Sequence, residues 1–371
     1  MSDMRIKEFD YSNFKVASIK GRYLNYQTTI DTVSTLVDNS SIRVIGQSVR
    51  SLDIPLITLG SGSKRILMWS QMHGNESTTT KAVLDLLSFF KTNSPAATAI
   101  LEAATLYIIP VLNPDGANDY TRFNANEVDL NRDAQDRTQP ESKALRAVFE
   151  EVKPHYCFNL HDQRTLFNVG ETDKVATVSF LSPAADQDRS ITDSRVRSMK
   201  LIADMNDVLQ QYIPGGVGRY DDGFNINCVG DTFQFEAVPT ILFESGHYPK
   251  DYDRDQTRAL IAVSIYTAIN SIVYQLYDFN EVEAYHKIPE NNQLFYDIIV
   301  ENPQILDSKY KEEQVLAINY QEVLVDQKIE FVPKAFEIKP KGAFYGHKTL
   351  DMRLDEDREE LIKSQYLTEQ D

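Results

Sequence analysis

The sequence holds only two cysteines, Cys157 and Cys228, and one tryptophan. Cys157 lies inside an apolar run that reads as a buried strand. This argues against a disulfide framework and fits a reducing compartment. Positive charge is also scarce: 38 lysines and arginines face 55 aspartates and glutamates, for a net charge of −17 and a pI of about 4.8. Such a chain is no generic partner for nucleic acid or for anionic membrane surfaces. No apolar run reaches the about 20 residues of a spanning helix uninterrupted. Leu260–Tyr277 comes nearest, but Ser264, Thr267, Asn270, Ser271 and Gln275 break it, and it reads as a buried helix. The first residues, Met1 to Glu8, have no hydrophobic signal core, so the expected location is cytoplasmic. Repeats and low-complexity stretches are missing too. What remains is an ordinary globular composition, enough for one large domain or two.

What is present is an alternation of strand and helix signals. Strands are expected at Ile42–Ile45, Ile54–Leu59, Lys64–Ser70, Thr105–Leu112, Tyr156–Leu160 and Thr240–Phe243. Helices are expected after Ser77 or Thr78, from Pro140 to Glu151, from a cap at Asp193 to about Tyr212, and over 256–277. Asn113-Pro114-Asp115-Gly116 is a turn signal, and 117–139 reads as loop. The alternation predicts an α/β fold whose central sheet is mixed and flanked by helices. From residue 280 the texture changes to short strands at Phe295–Val300, Val315–Tyr320, Val323–Val325 and Lys328–Val332, before a charged tail at 354–363. The expected division is a catalytic domain over 1–279 and a small β-rich C-terminal part over 280–371.

Three apolar runs end in residues that bind metals or move protons. His73-Gly74-Asn75-Glu76 follows the first, His161 the second and Glu244 the third. In open α/β sheets, sites gather at the carboxyl ends of strands. An imidazole and a carboxylate three residues apart can close on one zinc ion, with a further ligand and an open position for water. Between them lie Arg122-Phe123-Asn124 and Val128-Asp129-Leu130-Asn131-Arg132-Asp133. A guanidinium matches a carboxylate through two parallel hydrogen bonds, which an ammonium cannot.

These five blocks, His-x-x-Glu, Asn-Pro-Asp-Gly, Arg-x-Asn followed by Val-Asp-Leu-Asn-Arg, a third His and a late Glu, resemble the zinc metallocarboxypeptidases, in a bacterial-type form, over roughly residues 60 to 250. The resemblance implies one zinc per chain, held by His73, Glu76 and His161. It implies Asp129 behind a ligand imidazole, Arg122 on the scissile carbonyl, Asn131 and Arg132 on a terminal carboxylate, and Glu244 as general base. It also implies a tyrosine near the substrate, with Tyr220 in about the right region and Tyr248 and Tyr252 competing. The specificity position falls within Cys228–Asp231, where Asp231 would select basic side chains, with a structural role for Asp231 as the alternative. The expected substrate is a peptide, cleaved at its C-terminal bond. The related aspartoacylase and succinylglutamate desuccinylase group offers the alternative of a small N-acyl amino acid, and a non-catalytic binding module is a third reading.

The chain departs from the family pattern in places. Glu127 stands where glycine is usual, so the turn before Val128 is expected to be altered or strained. Asp133 replaces an asparagine. Asp162 and Gln163 follow His161, and Asp162 reads as an exposed loop acid. His247 reads as a loop histidine, with tuning of Glu244 as the alternative.

Overall fold

Alternate side chains of a strand face opposite ways. In the run Ile66–Trp69, Ile66 and Met68 enter one apolar cluster while Leu67 and Trp69 enter another. A strand covered on both faces needs such an unbroken apolar run. The computed structural model describes residues 9–334, 336–342, 344–364 and 366, and it places this run at the centre of an eight-stranded sheet.

In chain order the elements are α1 (Tyr26–Leu36), β1 (Ile42–Gln47), β2 (Asp53–Leu59), β3 (Lys64–Trp69), α2 (Thr78–Lys91), α3 (Pro95–Ala103), β4 (Ala104–Ile109), α4 (Pro114–Asp119), α5 (Pro140–Val152), β5 (Tyr156–Asp162) and β6 (Asn168–Val169). There follow β7 (Val178–Leu181), α6 (Asp193–Leu209), β8 (Val217–Arg219), α7 (Val229–Phe235), β9 (Thr240–Ser245), α8 (Asp255–Tyr274) and α9 (Val282–His286). The strand order is β1-β2-β4-β3-β5-β9-β7-β8. The block β4-β3-β5-β9 is parallel, and β1, β2 and β7 join antiparallel to their inner neighbours, which makes the sheet mixed as expected. From β3 the chain crosses to β4 on one side and later to β5 on the other. The crevice beyond β3 and β5 is thus a switch point, the place where such sheets bind ligands.

Helices α2, α6 and α8 cover one face, and α5 and α7 the other, where Phe149 stacks on Phe233 at 3.9 Å. Each fully buried Leu, Ile or Phe in these clusters contributes about 1.5–3 kcal/mol. The apolar stretch near 260–277 forms α8. Among the described residues it is the one helix with the length and composition to cross a bilayer, and it is a core helix packed against α2 and α6.

Several boundaries differ from expectation for local reasons. Asn113-Pro114-Asp115-Gly116 is not a simple turn. Asn113 Oδ1 accepts the Gly116 N–H at 2.9 Å and opens α4, with proline at the first turn. The cap of α6 is Thr192, whose side chain accepts the Arg195 N–H, and Asp193 is the first helical residue. Helices α1, α3 and α7 and the short strands β7 and β8 were not expected. In α1 only Thr29 and Val33 are buried, too few apolar positions to display a helical period.

Beyond α9 come β10 (Asn291–Asn292), which pairs with β6, then β11 (Phe295–Glu301), β12 (Gln314–Ile318), β13 (Tyr320–Val325), β14 (Lys328–Pro333), β15 (Glu337–Pro340), β16 (Tyr345–Asp351) and α10 (Asp355–Lys363). A four-stranded sheet, β15-β12-β11-β16, and the hairpin β13–β14 form the expected β-rich C-terminal part. It has its own core of Ile298, Val300, Leu316, Ile318 and Leu350. The charged tail forms α10.

Candidate metal centre and cleft

His73 lies four residues past the end of β3, Glu76 precedes α2, and His161 is the next-to-last residue of β5. The turn between His73 and Glu76 closes only because position 74 is glycine: a Cβ there would lie 1.8 Å from the Gly116 carbonyl carbon. Gly116 is equally confined, 2.4 Å from Asn113 Nδ2 by the same measure. The His-Gly-Asn-Glu and Asn-Pro-Asp-Gly segments therefore hold each other in place through paired glycines.

His73 Nδ1 lies 2.8 Å from Glu76 Oε1, His161 Nδ1 lies 2.8 Å from Glu76 Oε2, and the two Nδ1 atoms are 3.1 Å apart. All three side chains are buried and their ligand atoms lie within 4.8 Å of one another. Two imidazole nitrogens facing each other across one carboxylate converge their lone pairs on a point that a cation satisfies. Two nitrogens and one oxygen, with room for a fourth group, form the donor set of a catalytic zinc site. His73 Nε2 lies 3.1 Å from Asp129 Oδ1, and a carboxylate behind the ligand ring fixes its orientation.

Asp129 also holds Arg122. Its Oδ2 accepts from Arg122 Nε at 3.1 Å and from Nη2 at 3.0 Å. Burial works against the Asp129 charge, yet His73 and Arg122 hold its carboxyl well below the usual carboxylate range. Arg122 Nη1 is thereby left 3.3 Å from His73 Nδ1 and 3.7 Å from Glu76 Oε1, over the ligand set. The loop carrying these groups turns at Glu127, whose φ of 59° is left-handed. This is the strain expected where a side chain stands in a glycine's place. Asn124 pins that turn by accepting the Asn126 and Val128 N–H groups, each at 3.1 Å.

Glu244 is paired in register with His161 on the neighbouring parallel strand, which brings the late glutamate beside the third ligand. Its Oε2 is buried without a partner. Burial, then Glu76 and Asp162, push its carboxyl well above the usual range. A cavity of about 350 Å³ is lined by His73, Glu76, His161, Glu244, Arg122, Asn131, Arg132, Tyr220 and Asp231 among others. Asn131 Oδ1 accepts the Val229 N–H at 3.0 Å, which leaves its Nδ2 for a ligand. Arg132 Nη1 donates to Asn131 O at 2.7 Å and to Cys228 Sγ at 3.2 Å. Asp231 stands in the first turn of α7, where burial pushes its carboxyl up to about 7. Of the competing tyrosines, Tyr220 lines this cleft, whereas Tyr252 donates to Asp297 at 2.6 Å in a neighbouring cavity and Tyr248 bridges to Asp251.

One sequence expectation needs correction. Asp162 is not an exposed acid: it is 2% exposed. Its carboxylate accepts the Thr78 N–H at 2.8 Å, the Thr79 N–H at 3.2 Å and the Ser245 hydroxyl at 2.5 Å, and it faces Arg22 Nη1 at 3.5 Å. It therefore supplies the cap of α2 that Ser77 does not, since Ser77 makes no capping bond. His247 lies in the loop after β9, as expected, and is buried beside Tyr252 in the neighbouring cavity. Asp133 is buried as well and accepts the Thr138 and Gln139 N–H groups, each at 2.9 Å.

Sequence reasoning missed Arg22, Arg164 and Glu322. Glu322, on β13, accepts from Arg22 Nη2 at 3.3 Å, from Arg164 Nη1 at 2.8 Å and from the Tyr120 hydroxyl. The C-terminal hairpin is thus clasped to the rim of the cleft. Arg164, three residues past His161, carried a positional signal; Arg22 and Glu322 carried none.

Residues 26–206 match the family described as zinc carboxypeptidase, Peptidase_M14. A probable carboxypeptidase 2 of Trichophyton verrucosum is 29% identical over 112 residues, covering 30% of this chain and 21% of the relative. Carboxypeptidase SOL1 of Arabidopsis thaliana is 35% identical over 103 residues, covering 24% of this chain and 21% of that protein. The match thus spans about a fifth of the length of these relatives. Among solved structures, a metallo-carboxypeptidase from Burkholderia cenocepacia superposes with a TM-score of 0.55 at 16% identity, covering 69% of this chain and 71% of the other.

Proposed function

We propose, for a chain that belongs to the zinc carboxypeptidase family, that it hydrolyses the C-terminal peptide bond of a peptide. The observation that carries this reading is one cleft holding a three-ligand set, an unpartnered buried carboxylate and two arginines with different surroundings. His73, Glu76 and His161 would hold a zinc ion, which would supply Lewis acidity and make water there more acidic, with a pKa of about 7. Glu244 takes the proton of the attacking water and passes it to the leaving amine. Arg122, steered by Asp129, donates to the scissile carbonyl oxygen as negative charge builds there, a contribution of about 10²–10³ in rate. Arg132 and the Nδ2 of Asn131 hold the terminal carboxylate. Asp231 reads the terminal side chain: a cationic group seated beside it would draw off the proton that burial favours. Tyr220 lines the same cleft and is the tyrosine available to the substrate.

The zinc assignment predicts about one equivalent of metal per chain by elemental analysis. The His161→Ala protein should lose most of it, and full occupancy in that variant would remove His161 from the ligand set.

The terminal-carboxylate assignment predicts that C-terminally amidated peptides are poor substrates, because a site built around a charge is left with an unpaired guanidinium. Arg132→Lys should also impair cleavage, since the fork geometry is lost while the charge stays. Equal cleavage of free and amidated peptides would withdraw the carboxypeptidase reading. The clasp of the C-terminal hairpin on the cleft favours one rival, a deacylase of small N-acyl amino acids. That rival requires cleavage of N-acyl amino acids and indifference to longer peptides, which the same substrate panel separates.

A further inference from the structure

A second cavity, of about 480 Å³, adjoins the cleft, and Arg164 and Thr165 line both. Its far wall comes from the C-terminal part, through Asp297, Asn319, Glu322 and Lys334. The family match ends at residue 206, so this wall lies outside it.

The two carboxylates in the chamber are already committed. Asp297 accepts the Tyr252 hydroxyl at 2.6 Å and the Tyr320 N–H at 2.7 Å. Glu322 accepts from Arg22, Arg164 and Tyr120. Arg164 is paired with Glu322 through Nη1 and lies over the Tyr120 ring, but its Nε and Nη2 make no hydrogen bond among the described residues, and neither does Nζ of the exposed Lys334. His247, also in the wall, is held neutral, because burial and then Arg254 push its imidazole well below the usual range. The chamber's cations therefore keep open donors, while its two carboxylates already hold hydrogen-bond partners. Its charges balance two against two, Arg164 and Lys334 against Asp297 and Glu322, but the open donors belong to the cations.

Arg132 does not line this chamber, and the contacts of the two arginines share no residue: Arg132 touches Asn131 and Cys228, Arg164 touches Asn75, Tyr120 and Glu322. A peptide whose C-terminus sits at Arg132 reaches the chamber with the residues that precede its scissile bond. We propose that the chamber built by the C-terminal part is an upstream subsite that takes acidic side chains, paired with the free donors of Arg164 and Lys334. The inference rests on the carboxypeptidase reading for the direction of the peptide. Charge-assisted pairs of this kind are about twice as strong as neutral ones.

The test compares two pentapeptides that differ only at their first two residues, Glu-Glu against Gln-Gln. Binding is measured by titration calorimetry to zinc-loaded Glu244→Gln protein, and kcat/KM with the unaltered protein. The acidic peptide should bind about tenfold tighter, and Lys334→Gln in the same background should bring the two affinities together without weakening the Gln-Gln peptide. Equal affinities before the Lys334 change, or a preference that survives it, would overturn the proposal. Absence of cleavage counts against the proposed hydrolysis, while the binding comparison still decides the subsite.

Discussion

Glu244→Gln is expected to lower turnover by about 10²–10⁴, the usual worth of a placed general base, while fold and metal content stay unchanged. The amide keeps the size of the carboxyl at a position where Oε2 has no partner to lose, so the change removes proton-accepting capacity and little else. It also removes a carboxyl whose ionisation burial, Glu76 and Asp162 all oppose, so the variant should be at least as stable to heat as the parent. Steady-state kinetics with elemental analysis and a melting curve would check all three. Near-normal turnover with metal retained would end the assignment of Glu244 as the base.

Asp162→Asn should act on stability instead. The carboxylate and Arg22 are both fully buried, and breaking such a pair from one side typically costs about 3–5 kcal/mol. The new amide would turn donors toward the Thr78 and Thr79 N–H groups, which need acceptors. A clear drop in melting temperature is therefore expected. The Asp162 backbone N–H would still reach Glu76 Oε2, 3.1 Å away, so metal binding should fall less than stability does. A melting temperature within 2 °C of the parent, an arbitrary but practical margin at about 2–4 °C per kcal/mol for large domains, would return Asp162 to the surface role its sequence suggested.

The legible parts of the molecule were those written locally. Strands β3, β5 and β9 are buried on both sides, so their apolar runs stood out, and the chemistry-bearing residues at their ends came into one cleft. The strain at Glu127 was legible because the residue type itself conflicts with the turn. Helix α1 was not legible, since its four threonines are spread over buried and exposed positions alike. Asp162 was misread because an acid after a strand looks exposed unless one knows that the start of another helix, from a different part of the chain, lies over it. The clasp of Arg22, Arg164 and Glu322 joins three distant segments, and no short window contains it.

That clasp also bears on time. A chain is made from its N-terminus at about 5–20 residues per second, and domains fold as they emerge. The ligand set and Glu244 have all been made once β9 has been synthesised, yet Arg22 and Arg164 still lack the carboxylate of residue 322. For several seconds the nascent protein holds a complete set of reactive groups with an unfinished rim. Maturation of the cleft is thus ordered by synthesis, with the hairpin arriving after the chemistry it borders.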